Sequence, residues 1–117
     1  MKILIVDDNA GNRGLASRML RLNPQIAITE ADSGPACLEL AAMEQFDIIL
    51  LDISMPGMDG IETCALLRGL KTYAATRIIA CTAHASTRDG RSLLSQGFTS
   101  VLTKPFLLAE LYEAIGC

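Results

Sequence analysis

No stretch of the 117-residue chain approaches the roughly 18 consecutive apolar residues that a membrane-spanning helix needs. Met1-Lys2 is followed by only four apolar residues, Ile3 to Val6, which is not the pattern of a secretory signal. Cysteine is sparse and scattered: Cys37, Cys64, Cys81 and Cys117 contain no C-x-x-C pair. They read as free thiols in a reducing compartment, not as a metal or disulfide framework, so the expected location is the cytoplasm. Positive charge is also in short supply. The net charge is −3 and the only basic grouping is Arg13, Arg18 and Arg21, which reads as a solvated helix face. That balance argues against a nucleic-acid binder held by phosphate contacts. No glycine-rich loop of P-loop or Rossmann spacing occurs, so a bound nucleotide is not expected. There is no G-x-S-x-G, and His84 and Ser86, two residues apart, make a poor hydrolase pair. Linkers, repeats and low-complexity segments are missing as well, so residues 1–117 are expected to form one domain.

What the chain does have is alternation. Apolar runs at Lys2–Val6, Ile26–Glu30, Asp47–Leu51, Arg77–Cys81 and Ser100–Leu102 read as strands. The first, third and fourth are almost continuously apolar, as parallel strands covered on both faces are, whereas the second is more polar, like an edge. Helical patterns lie between them. Asn9 or Gly11 opens the first, with Leu15, Met19 and Leu22 on one face. Ser33 caps the second, with Pro35 in its first turn and Leu38, Ala41 and Ala42 as its stripe. Asp59 caps the third, which carries Ile61, Cys64 and Ala65. Ser86 or Thr87 opens the fourth, and the fifth follows Lys104-Pro105 with Leu108, Leu111, Tyr112 and Ile115 inward. The fourth is the weakest: within 86–96 only Leu93 and Leu94 are apolar, and Gly90 inside it costs about 1 kcal/mol relative to alanine. The order βαβαβαβαβα implies an α/β fold with right-handed crossovers and helices on both sheet faces. Five strands in this length fit a flavodoxin-like, doubly wound (βα)5 sheet of strand order 2-1-3-4-5.

In such a sheet, ligands bind beyond the carboxyl ends of the strands where the order reverses, here between the first and third. Strand one runs into the adjacent acids Asp7 and Asp8, strand three into Asp52, strand four into Thr82 and strand five into Lys104. Glu30 and Asp32, on the edge strand, should lie away from this crevice. Two carboxylates about 4 Å apart at an effective dielectric near 20 repel by roughly 4 kcal/mol, so either something offsets that or both side chains point into water. Three carboxylates without a histidine or cysteine among them suit a hard, oxygen-loving ion, and Mg²⁺ fits. The third carboxylate could then act as a nucleophile toward a phosphoryl group. Lys104 would neutralise phosphoryl oxygens from one side and Mg²⁺ from the other, with Thr82 hydrogen-bonding one of them.

Taken together, "LIVDDN", "LLDISMPGMDG", "CTAHA" and "LTKPF" resemble a response-regulator receiver domain, the phosphorylation module of two-component signalling, over the whole chain. The resemblance implies that Asp52 is the phosphoacceptor, charged by a histidine kinase or a histidine phosphotransfer protein. It implies that Asp8, Asp52 and the backbone carbonyl of Ser54 ligate Mg²⁺ directly, with Asp7 acting through a metal-bound water. Lys104 would pair with Asp52 and then with the phosphoryl group, and Thr82 would move toward it. Pro56 and Gly60 fall where the family shapes the loop after the phosphoacceptor. Ser54 and His84 occupy positions that flank the attacking water in similar proteins. The fourth helix, fifth strand and fifth helix would form the output face, for an unidentified downstream protein or a phosphorylation-dependent homodimer. Val101 stands where the family often has Tyr or Phe, so the usual ring rotation has no ring to act on. The "TAHA" segment is most similar to receivers of hybrid kinases and phosphorelays.

The expectation is therefore a signalling switch, not an enzyme for outside substrates, with direct contact to neither nucleic acid nor membrane, and either stand-alone or part of a longer protein. Haloacid-dehalogenase-like phosphatases place their acids as D-x-D, whereas these are adjacent. A flavodoxin-like electron carrier wants a Ser/Thr-rich loop after strand one. A pseudo-receiver would lack acids or the lysine.

Overall fold

The computed structural model describes residues 1–83 and 87–116, with side chains of 87–89 left aside. Its strands are β1 (Lys2–Val6), β2 (Ala27–Ala31), β3 (Ile48–Asp52), β4 (Arg77–Thr82) and β5 (Ser100–Thr103). The helices are α1 (Ala10–Leu20), α2 (Gly34–Met43), α3 (Gly60–Arg68), α4 (Thr87–Ser95) and α5 (Leu108–Ile115), with a single 3-10 turn at Lys71–Tyr73. All pairings are parallel and the order is β2-β1-β3-β4-β5, as the alternating pattern implies. Strands β4 and β5 each run one residue further than the apolar runs suggest and β3 is displaced by one residue toward its carboxyl end, because their terminal polar residues are still in the ladder. Asp52 pairs with Cys81, and Thr82 with Thr103. β2 is displaced by one residue in the same direction.

Successive residues of the central strands feed two separate cores, since neighbouring side chains of a strand point to opposite faces. Leu4, Val6, Ile49, Leu51, Ile78 and Ala80 pack with Cys37 and Ala41 of α2, Cys64 and Leu67 of α3, and Leu93 of α4. Ile3, Ile5, Ile48, Leu50, Ile79 and Cys81 pack with Ala16 and Leu20 of α1 and with Leu111 and Ile115 of α5. This two-sided burial explains why the strands read as continuous apolar runs.

The helix faces differ from the expected stripes. On α1 the buried side chains are Ala16, Ser17 and Leu20, with Met19 half-buried and Leu15 exposed, while Leu22 lies beyond the end of the helix and is exposed. On α2 and α3 the inward residues are Cys37, Ala41, Thr63, Cys64 and Leu67, while Ala42 and Ala65 face water. Leu108 of α5 is likewise exposed, although Leu111 and Ile115 are fully buried. α4 does form, anchored through Leu93, with Leu94 exposed; Ser86, a candidate for its first residue, lies outside the described residues. The caps agree with expectation. Asn9, Ser33 and Asp59 side chains accept the backbone N–H of Asn12, Ala36 and Glu62.

Connections at the amino ends of the strands are closed by groups that no periodicity signals. Arg68, at the end of α3, donates to the carbonyls of Tyr73, Thr76 and Gly97 at 2.8, 2.6 and 2.9 Å. Arg77 donates to the last carbonyls of α5, Ala114 and Ile115, where a cation also complements the helix dipole. Tyr73 is fully buried, and its hydroxyl donates to the Glu44 carbonyl at 2.6 Å while accepting the Phe46 N–H at 3.2 Å. Cys37, Cys64 and Cys81 are buried free thiols, and burial pushes Cys37 and Cys81 up to about 12, so neither is a thiolate at neutral pH. Cys117 lies outside the described residues.

Two glycines stand in opposite situations. A Cβ on Gly60 would come within 2.3 Å of the Asp52 carbonyl oxygen and 2.8 Å of the Ile53 Cα, so α3 starts hard against the end of β3. A Cβ on Gly90 of α4 would meet nothing within 4 Å. Gly60→Ala should therefore destabilise the protein by about 1–3 kcal/mol through overpacking. Gly90→Ala should stabilise it by about 0.5–1 kcal/mol through helix propensity. Urea unfolding midpoints of the two variants check both signs.

Candidate functional site

The site is built where β1 and β3 end side by side. Val6 pairs with Leu51, so the residues that follow, Asp7 and Asp52, lie next to one another above the switch point. Asp7 is held at both ends of its backbone: its N–H donates to the Ala31 carbonyl at 3.1 Å, and its carbonyl accepts from Arg13 at 2.7 Å. Its Oδ1 accepts the Asn9 N–H at 2.9 Å, which folds the chain sharply into α1. The neighbouring acids consequently separate, with Asp7 buried and Asp8 exposed. Asp52 is buried and its Oδ1 accepts the Ser54 N–H at 3.4 Å. Lys104 follows β5 directly, with its backbone N–H donating to the Thr82 carbonyl at 2.8 Å and a cis peptide bond to Pro105.

The Lys104 side chain reaches back across the sheet end. Its ammonium donates to Asp7 Oδ2 at 2.8 Å and to Asp52 Oδ1 at 3.0 Å. One cation thus serves two carboxylates whose side chains are only 7% and 8% exposed. Burial raises the Asp52 carboxyl above the usual range, and the charge of Asp7 adds to that rise. The hydrogen bond and charge of Lys104 pull the other way without cancelling it. Burial acts to lower the Lys104 ammonium, but its hydrogen bonds and charge interactions with Asp7 and Asp52 outweigh this, so it is raised and stays protonated. Oxygens of Asp7, Asp8 and Asp52 all lie within 4.8 Å of one another. With Lys104 the group carries two formal negative charges in excess, when all three acids are ionised, which is the electrostatic setting for a divalent cation.

Asp7, Asp8, Asp52, Ser54 and Lys104 line one crevice of about 320 Å³, joined by Asn9, Asn12 and Ala83. Thr82 stands behind it, buried at the end of β4. Every sequence-derived site residue is thus brought to one edge of the sheet; His84 lies outside the described residues. Three participants were not foreseen. Arg13 braces the site through the Asp7 carbonyl and does not stand on a solvated face, and Glu30, which lies away from the crevice as expected, holds it: Arg13 Nε sits 3.3 Å from Glu30 Oε1, and Ser17 Oγ donates to Glu30 Oε2 at 2.9 Å. Asn9 read only as a candidate helix opener and Asn12 was not singled out, yet both line the crevice. An adjacent apolar cavity of about 310 Å³ shares Asp7, Asn12, Ala83 and Lys104, and Leu15 and Phe106 form part of its wall.

The chain is 40% identical over 115 residues to the signal transduction histidine-protein kinase BarA of Escherichia coli (strain K12), which covers 98% of this chain and 12% of that protein. It is 32% identical to the sensor protein GacS of Pseudomonas syringae pv. syringae, over 97% of this chain and 13% of that one. The chain therefore spans only a small fraction of these curated relatives. Among solved structures, the chemotaxis protein CheY4 of Vibrio cholerae superposes with a TM-score of 0.91 at 30% identity, covering 97% of this chain and 94% of that one. The family described as the response regulator receiver domain matches residues 3–116, a span that contains all of the acids and the lysine above, and the chain belongs to that family.

Proposed function

We propose that residues 1–117 act as a single phosphoacceptor switch in a two-component or phosphorelay pathway. Asp52 takes a phosphoryl group, in a Mg²⁺-dependent reaction, from the phosphohistidine of a histidine kinase or histidine phosphotransfer protein. The observation that carries this reading is the Lys104 ammonium seated between Asp7 and Asp52 at 2.8 and 3.0 Å. An Asp52 oxygen attacks phosphorus as the phosphorus–nitrogen bond breaks, and the bonding pair returns to the donor imidazole, which takes a proton. Lys104 and the Ser54 N–H both engage Oδ1, so the carboxylate is oriented before the donor arrives, and its other oxygen has no hydrogen bond among the described residues. The ammonium has three donors and uses two on partners among the described residues, and the third serves an incoming phosphoryl oxygen.

The donor set is all hard oxygen and fits Mg²⁺. Asp8, Asp52 and the Ser54 carbonyl would hold the ion directly. Asp7, whose two oxygens already accept from Asn9 and Lys104, would act through a bound water. Bound Mg²⁺ supplies charge neutralisation at the phosphoryl oxygens. Thr82, one strand across from Asp52, hydrogen-bonds the phosphoryl group and reports it to α4, β5 and α5. There a downstream protein or a second copy docks. Val101 is half-buried against the core that holds Leu93 of α4, so the signal passes through aliphatic packing in place of a turning ring. The domain works in the cytoplasm without contacting nucleic acid; among the described residues no helix is long and apolar enough to cross a membrane.

Incubation with acetyl phosphate and Mg²⁺, followed by intact-mass measurement, should add one phosphoryl group to the wild type and none to Asp52→Asn. Undiminished labelling of the variant would move the nucleophile elsewhere. The same substitution should raise thermal stability. A carboxyl raised on folding contributes stability that is full below its unfolded value near 3.8 and is lost as pH rises through the folded value. Asp52→Asn should thus melt a few degrees higher at neutral pH, with the gain shrinking toward pH 4. Lys104→Met should do the reverse, costing about 2–4 kcal/mol at neutral pH because two buried carboxylates lose their shared cation. Urea unfolding with and without millimolar Mg²⁺ should show the ion restoring much of that loss.

A further inference from the structure

Arg13 was expected to be a surface charge, and its surroundings say otherwise. Its side chain is only 18% exposed. One guanidinium nitrogen donates to the Asp7 carbonyl at 2.7 Å, and Nε sits 3.3 Å from Glu30 Oε1. Glu30 is itself fixed, because its second oxygen accepts from Ser17, a fully buried residue of α1. The Asp7–Asp8 peptide is therefore clamped from outside the reaction crevice. Its carbonyl, that of Asp7, is tied to α1 and β2 through Arg13, and the preceding peptide is tied to β2 through the Asp7 N–H. Rotation of that peptide would redirect Asp8, the exposed acid that follows it and that lies within 4.8 Å of the other two carboxylates.

We propose that Arg13, held by Glu30, is a positioning residue for the acidic pair and sets the affinity of the crevice for a divalent cation. The proposal rests on reading that crevice as a Mg²⁺ site, and it concerns a residue that never touches the ion. Its sign separates it from the plain electrostatic alternative. A guanidinium near three carboxylates repels cations, so a role through charge alone means that removing it tightens Mg²⁺ binding. A positioning role means that removing it weakens binding, despite the added negative charge. Partners one layer out from a metal site commonly change affinity by about 10–100-fold when removed.

The test is the Mg²⁺ dissociation constant, from amide NMR shifts of the folded protein, for wild type, Arg13→Gln, Arg13→Lys and Glu30→Gln. Urea unfolding alongside reports stability separately. We expect Arg13→Gln to weaken Mg²⁺ by about tenfold. Arg13→Lys should weaken it by a smaller factor, since an ammonium keeps the charge but cannot span the Asp7 carbonyl and Glu30 as a planar fork does. Glu30→Gln, which leaves Arg13 in place, should fall between wild type and Arg13→Gln, and it serves if Arg13→Gln does not fold. Tighter binding by Arg13→Gln, or unchanged binding by all folded variants, overturns the proposal and leaves the Mg²⁺ site standing. If the wild type binds no Mg²⁺, the site reading falls and this inference with it.

Discussion

The ammonium of Lys104 between Asp7 and Asp52 is the interaction on which the rest of the site depends. It links the end of β5 to the ends of β1 and β3 across the sheet, and it gives two largely buried carboxylates a shared cationic partner. Without it the repulsion between neighbouring acids would open the crevice or protonate one of them. With it the compensation is deliberately incomplete. One positive charge faces two buried acids, and Asp8 adds a third at the rim. The crevice is thus held together by its own cation and still short of one more. Asp52 bears the strain of this arrangement in its raised carboxyl, which is why a function carried by that residue and maximal stability of the fold pull in opposite directions.

Much of this was legible in the sequence, and the physics says why. Parallel strands buried on both faces must be apolar throughout, so β1, β3 and β4 stood out, and each strand's first polar residue marked the carboxyl edge where ligands bind. Caps were legible because Asn9, Ser33 and Asp59 each accept a backbone N–H within their own turn, a local interaction that needs no tertiary knowledge. What escaped was either small or long-range. Stripe counting favours large apolar residues, yet α1 approaches the sheet through Ala16, Ser17 and Leu20 and leaves Leu15 at the wall of a side cavity. Arg13 read as solvated charge, and nothing in the spacing of Arg13, Arg68 or Arg77 reveals the carbonyls they meet. Each spends its guanidinium on backbone groups that the sheet and helix ladders leave over. Tyr73, fully buried in a 3-10 turn between α3 and β4, follows the same logic.

The same division orders the molecule. The amino edge of the sheet is stitched by Arg68, Arg77 and Tyr73 and has a structural purpose. The carboxyl edge carries the acids, Thr82 and Lys104, and is closed by Arg13 and by the tight seating of α3 at Gly60. Val101 of β5 is half-buried against the core that also holds Leu93 of α4.

The most direct test of the account is a crystal structure with Mn²⁺, an anomalous scatterer that takes Mg²⁺ sites. The account predicts a single ion in the crevice, ligated by Asp8, Asp52 and the Ser54 carbonyl, with Lys104 still bonded to Asp7. An ion bound away from these oxygens, or a crevice without density at saturating Mn²⁺, would contradict it.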